Sequence, residues 1–252
     1  MLIFPLLSCT CLFSTPSTSR IMQIASLLLC VFLVLGANAD VKVNESNAYM
    51  DKLLEKTFPQ LLGDTARLDD FGVFKTWYFG RRAGYNAILR EVNQVNATMS
   101  AGQISGLHGL RRVGDCAAPQ QSQDRIVVAC TVSLDAVKAR YLGAFRSLKT
   151  YNAIHSPPRG KAKIEGILMD ATAYIEVSQR PDGDRLVTTW IVLPYHLSIT
   201  YSRHLDDVDP EMRPQLRHDI KKRIYEKIDN FLWGPLLDGL QAAVMEDPLP
   251  SP

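Results

Sequence analysis

Glycine and proline are scarce in this sequence, at 15 and 14 of 252 residues, too few for a low-complexity scaffold. An excess of either charge is also missing. The 28 Lys and Arg meet 26 Asp and Glu for a net charge of +2, which excludes both the basic footprint of a nucleic-acid binder and the acidity of a solvating, disordered chain. Catalytic signatures are absent: there is no Gly-x-Ser-x-Gly elbow, no His-Glu-x-x-His, no Gly-x-x-x-x-Gly-Lys phosphate loop and no dinucleotide fingerprint. The histidines His108, His155, His196, His204 and His218 show no ligand spacing, so no metal and no cofactor are expected. Asp206, Asp207 and Asp209 stand just before Pro210 and read as the N-terminal charge of a helix. The expectation is a protein that is not an enzyme.

What is present begins with an address. Ile24 to Leu35 is an apolar run that ends in Gly36-Ala37-Asn38-Ala39. It is too short to span a bilayer, and Ala37 and Ala39 are the small pair a signal peptidase accepts. Residues 1–39 therefore read as a signal peptide, with 1–21 as a possible upstream extension before Met22, and residues 40–252 as one secreted, extracellular domain. Cys9, Cys11 and Cys30 leave with the leader. Cys116 and Cys130 remain, and in an oxidising compartment they suggest one disulfide, the alternative being two unpaired buried thiols. The turn-rich stretch between them, Ala117 to Asp124, returns the chain as a hairpin. Asn44-Glu45-Ser46 and Asn96-Ala97-Thr98 are glycosylation sequons.

The domain reads as helix, long strands, helix. Tyr49, Met50, Leu53, Leu54, Phe58, Leu61 and Leu62 recur on one stripe, which predicts a helix over 46–62 with Ser46 as N-cap and Pro59 near its end. The stretch 63–83 has no assignable pattern. From about Ala87 to Tyr201 the period is closer to two. Ile167, Met169, Ala171, Ala173, Ile175 and Val177 share a face, as do Val187, Thr189, Ile191, Leu193, Tyr195, Leu197, Ile199 and Tyr201 across the turn Pro181-Asp182-Gly183-Asp184. Strands of this length twist and curl strongly. Leu216, Ile220, Ile224, Ile228, Phe231 and Leu232 predict a second amphipathic helix, broken at Gly234-Pro235 and followed by a short one. The fold class is α+β: curled antiparallel strands with long amphipathic helices at both ends.

Gly106-Leu107-His108-Gly109-Leu110-Arg111-Arg112-Val113-Gly114-Asp115 resembles the segment G-L-x-x-[LM]-[KR]-R-V-G-D of the group 7 mite allergens. The order of elements is also similar over residues 44–246. Those allergens resemble one half of the bactericidal/permeability-increasing proteins and the arthropod juvenile-hormone carriers. The resemblance implies a super-roll, a curled sheet around a long helix, with an apolar tunnel or groove for lipid in an arthropod-type, allergen-like protein, which the two sequons would make a glycoprotein. The cysteine pair departs from that pattern. Within the motif, Arg111 and Arg112 invite assignment to anionic lipid headgroups. Adjacent arginines on a strand point to opposite faces, however, so a solvated side chain plus an ion pair is the better reading.

Two functions follow. One is a secreted binding protein that holds a lipid or other hydrophobic small molecule between the helical stripes and the sheet, with Leu53, Leu54, Ile220, Ile224, Phe231, Ile191 and Leu193 as candidate contacts. The other is a secreted immune or host-modulating protein with a collapsed tunnel that binds partners through its surface, an anionic lipid surface among the candidates. Nucleic acid is not an expected partner, and no transmembrane segment is expected in the mature chain. N-terminal sequencing of secreted material should recover Asp40, and enzymatic deglycosylation should lower its mass through Asn44 or Asn96; recovery of Met1 or Met22 would refute the leader.

Overall fold

The computed structural model describes residues 41–83, 87–122, 124–149, 162–202, 208 and 210–251. The leader, the loop at His155–Gly160 and the acidic residues Asp206, Asp207 and Asp209 lie outside the described residues. Residues 42–252 belong to one unit.

Its first helix, α1 (42–62), buries Tyr49, Met50, Leu53, Leu54 and Phe58 along the predicted stripe. Ser46 is not its N-cap. The helix starts earlier, and Ser46 lies fully buried within it. The turn Leu53–Thr57 widens to π geometry just before Pro59. A proline ring clashes with the carbonyl four residues back, here Glu55. The wider turn relieves that clash, so the helix runs on to Leu62 and ends at Gly63, whose φ is 73°.

The strands form two antiparallel sheets. The first has the order β1 (Thr65–Leu68), β3 (Ala87–Ser105), β7 (Lys138–Lys149), β8 (Ala162–Met169), β11 (His196–Tyr201), with β2 (Phe71–Ala83) also paired to β3. The second has the order β10 (Arg185–Val192), β9 (Thr172–Gln179), β6 (Arg125–Ser133), β4 (Arg111–Val113), with β5 (Gln120–Ser122) also paired to β6. The unassigned stretch 63–83 is thus mostly β1 and β2. Three extended segments run through both sheets: β6 into β7, β8 into β9 and β10 into β11. The two sheets are the halves of one meander bent across its middle.

The bend corrects the single-face reading of the long strands. At the corner between β8 and β9, Asp170 adopts φ 55°. Before it Ile164 and Leu168 face inward, and after it Ala171, Ala173, Ile175 and Val177 do. Met169 is consequently turned out, 50% exposed. In β10 the register shifts between Val187 and Thr189. The extra residue reverses the alternation: Trp190 points in, while Ile191 and Leu193 are 47% and 43% exposed. Ile191 and Leu193 are therefore not interior contacts. The alternation is restored past Pro194, where Tyr195 and Leu197 are buried.

Asp135 holds the corners together. Its carboxylate accepts the Ala171 N–H at 2.7 Å and the Ser133 hydroxyl at 3.0 Å, tying the β6–β7 corner to the β8–β9 corner. Beside it the Leu134 N–H donates to Ala171 O at 2.7 Å, and the Leu193 N–H to Thr172 O at 2.9 Å brings in the third corner. Gly106 packs against the same place: a Cβ there would sit 2.0 Å from Ala136 O, and its φ is 84°.

Two C-terminal helices complete the core. Helix α2 (Arg213–Trp233) lies on β1, β2 and β11 of the first sheet, and α3 (Pro235–Glu246) lies on α1 and on β10 of the second. The break falls at Gly234-Pro235 as predicted. Leu216, Ile220, Ile224, Ile228, Phe231 and Leu232 form the buried stripe of α2. The architecture is α+β, with curled antiparallel strands around amphipathic helices from both chain ends. Asp135→Ala would leave the buried Ala171 N–H without an acceptor, at a cost of about 1–3 kcal/mol. Denaturant unfolding would show this as a lower midpoint at unchanged slope; a midpoint equal to that of the parent would refute the corner's role.

Candidate functional site

The predicted helix-side residues enter one continuous buried cluster but meet different sheets. Leu53 and Leu54 lie on α1, which packs on α3, on β4 and on the Leu107–Gly109 turn of the motif. Ile224 lies on α2 against the first sheet, where its methyl is 3.5 Å from the position a Gly166 Cβ would take; Leu197 is 3.2 Å from the same point. Leu53, Ile220 and Ile224 expose no surface, Leu54 exposes 1% and Phe231 3%. A side chain lining a void that admits water keeps surface that water can touch. These residues keep almost none.

The disulfide is present. Cys116 and Cys130 are bonded with their Cα atoms 4.4 Å apart, and β5 and β6 form the expected hairpin between them. This bond sits beside a polar lock that joins α1 to the ten-residue motif. Arg112 donates to both carboxylate oxygens of Asp51 at 3.0 Å and also to Gly114 O. Asn47 donates to Asp115 at 2.9 Å and accepts the Cys116 N–H at 2.8 Å. The Asp51 carboxylate holds the Arg112 pKa above its ordinary value. Arg111 is exposed. Arg112 is therefore an anchor for α1, in line with the reading of one ion pair and one solvated arginine. Asn44 on α1 and Asn96 on β3 are both exposed.

A second polar cluster closes the end of the core near the C-terminus. Lys52 and Thr57 both bond Asp247, at 2.5 and 3.0 Å, and this contact to Lys52 holds the Asp247 carboxyl below its usual range. Gln241 of α3 accepts the Val187 N–H at 2.8 Å and donates to Arg185 O at 3.1 Å, covering the outer edge of β10. Arg185 donates to Met245 O at 2.8 Å, yet among the described residues its Nε has no partner, and neither does the buried hydroxyl of Tyr49 nearby. Sequence reasoning missed this cluster because its members come from α1, β10 and the C-terminal end.

Among the described residues, no three His, Cys, Asp or Glu side chains gather as a metal site, and no helix is long and apolar enough to cross a membrane. Buried tyrosines supply the marked electrostatic feature. Burial pushes the Tyr49, Tyr141 and Tyr195 phenols well up, and Tyr201 up to about 12, with Arg217 opposing the last shift.

No protein-family model matches the chain. It is 24% identical to the salivary anticoagulant protein P23 of Ixodes scapularis over 224 residues, 88% of this chain and 97% of that one. Among solved structures, Takeout 1 of Epiphyas postvittana superposes with a TM-score of 0.36 at 13% identity, covering 80% of this chain and 93% of the other.

The tyrosines set an alkaline limit. A phenol whose folded pKa lies above its unfolded value of 10.0 favours the fold below about pH 10, and that contribution is lost as pH rises toward 12. Tyrosinate absorbance of the buried rings should therefore grow together with the loss of near-ultraviolet circular dichroism above pH 10. Complete ionisation with the fold intact would contradict their burial.

Proposed function

We propose that this chain is a secreted, non-enzymatic binding protein that acts on host processes through its outer surface, over an interior filled by its own side chains. The observation that carries this reading is the near-zero exposure of Leu53, Leu54, Ile220, Ile224 and Phe231. The stripes offered as ligand contacts are already in contact with protein. The strand corners support it from outside, since Met169, Ile191 and Leu193 present apolar surface there, with Thr172 O bonded to the Leu193 N–H between them. Similarity to a salivary anticoagulant along nearly the full length of both chains supports secretion and a host-modulating role, with blood clotting as the process to assay. The motif at Gly106–Asp115 keeps kinship with the group 7 mite allergens within the proposal, and the exposed Asn44 and Asn96 keep glycosylation within it.

One observation favours the hydrophobic-ligand reading. Tyr49 and Arg185 each hold an unpartnered donor beside the apolar stripe of α1. A carboxylate headgroup would satisfy both, with its tail displacing side chains near Leu53 and Leu54.

The readings separate experimentally. Protein secreted from eukaryotic cells should carry no stoichiometric lipid in native mass spectrometry and should prolong plasma clotting time. Leu54→Trp should overpack the core at about 1–3 kcal/mol, with no fluorescent fatty acid taken up by either form. Co-purifying lipid, together with uptake blocked by Leu54→Trp at unchanged stability, would transfer the function to the interior.

A further inference from the structure

The two sheets end differently. On the outer edge of β10 the Gln241 amide takes the Val187 N–H and Arg185 O, whereas β11 among the described residues pairs with β8 on one side only. The ladder phase shows which groups are left over. Ser202 donates to Lys163 O at 3.1 Å, and with the register Thr200↔Glu165 and Ser198↔Ile167 the even residues of β11 bond to β8. The N–H and C=O groups of Leu197, Ile199 and Tyr201 point away from β8, and they have no backbone partner among the described residues.

Helix α2 walls this open edge. The Tyr201 hydroxyl donates to Arg217 O at 3.2 Å, and the Arg217 guanidinium lies 5.3 Å from the Tyr201 ring centre. Two turns on, Tyr225 stacks on Tyr195 at 4.7 Å with planes 12° apart. Arg217 and Tyr225 are eight residues apart, so Lys221 falls midway on the same helical row, with Lys222 beside it. Both lysines are exposed and have no ion-pair partner among the described residues. Of the neighbouring carboxylates of α2, Asp219 is engaged by Lys75 at 2.8 Å and Glu226 by Arg223 at 2.9 Å, while Asp229 continues the row one turn beyond Tyr225, two turns from Lys221.

An open strand edge supplies donors and acceptors at every second residue, and an adjacent helix wall selects the side chains that alternate above them. Here the wall is cationic and aromatic. We propose that the groove between the β11 edge and the Arg217–Lys221–Tyr225 row of α2 docks an extended acidic peptide segment of a protein partner, which adds as a further strand and places acidic side chains at alternate positions toward Lys221 and Lys222. This rests on the reading of the chain as a surface-binding protein and names the chemistry of its partner. Backbone pairing supplies registration and the lysines supply selection, so the site prefers acidic over basic segments of equal strand propensity.

The test uses the full secreted chain and fluorescein-labelled decapeptides of alternating glutamate and valine. The glutamate peptide should bind, and its lysine counterpart should not. Raising salt should weaken binding. The double variant Lys221→Glu, Lys222→Glu should bind at least about tenfold more weakly, and so should a peptide N-methylated at every second residue in the phase that faces β11. Amide hydrogen exchange at Leu197, Ile199 and Tyr201 should slow on binding, with Ser198 and Thr200 unchanged. Three outcomes overturn the proposal: no binding in either phase, binding indifferent to N-methylation, or equal lysine-dependent binding of heparin or of phosphatidylserine vesicles. If clotting is prolonged and no peptide binds, this inference falls while the surface reading stands. If the peptide binds and clotting is unaffected, the docking site stands without the host role.

Discussion

Asp135 sits where three long strand segments fold over from one sheet to the other, and the rest of the molecule depends on that turn. A strand that bends through a corner leaves backbone groups without a ladder partner, and a buried N–H without an acceptor is costly. The Asp135 carboxylate takes the Ala171 N–H, and the bonds of Leu134 to Ala171 and of Leu193 to Thr172 stack the three corners on one another. With the corners fixed, the two halves of the meander face a shared interior. Gly106 belongs to the same constraint, since only a residue without Cβ passes that close to Ala136.

The helices then close the interior from both ends of the chain. The α1 helix is pinned at one end by Arg112, Asn47 and the disulfide-bearing hairpin, and at the other by the bonds of Lys52 and Thr57 to Asp247. Exposed ion pairs contribute little individually. Their value here is positional: they set the rotation of α1 that turns Leu53 and Leu54 fully inward. The π turn at Leu53–Thr57 lets that rotation persist through Pro59.

The burial of the helical stripes moves attention to the rim. The β10 edge is bonded by Gln241 at the Val187 N–H and Arg185 O, and Trp190 anchors to Leu232 O at 3.1 Å. Farther along the same outermost segment, β11 keeps a row of backbone groups with no backbone partner among the described residues, beside lysines with no ion-pair partner there. Exposed edges are sites of pairing with another chain unless something blunts them. The same corners that turn Ala171 and Tyr195 inward also send Met169, Ile191 and Leu193 outward, so exposed apolar surface and buried core arise from one geometric cause.

How much was legible follows from the range of each interaction. Helical stripes, the Gly234-Pro235 break, the disulfide hairpin and the alternating strands are set by neighbours within a few residues, and periodicity together with turn chemistry determined them from the sequence alone. That one of Arg111 and Arg112 is solvated and the other paired followed from strand alternation as well, while which of them meets Asp51 did not. The inward placement of Ile191 and Leu193 failed, because a single extra residue near Thr188 and a left-handed Asp170 reverse alternation without a compositional mark. Ser46 as a cap failed because the residues before it are already helical and Ser46 is buried within the helix. Which edge is covered, which lysines lack partners and whether the stripes enclose a void are decided only when segments far apart in the chain are brought together. Pairing and packing between distant residues have no period for a sequence to display, so the tertiary structure alone decided them.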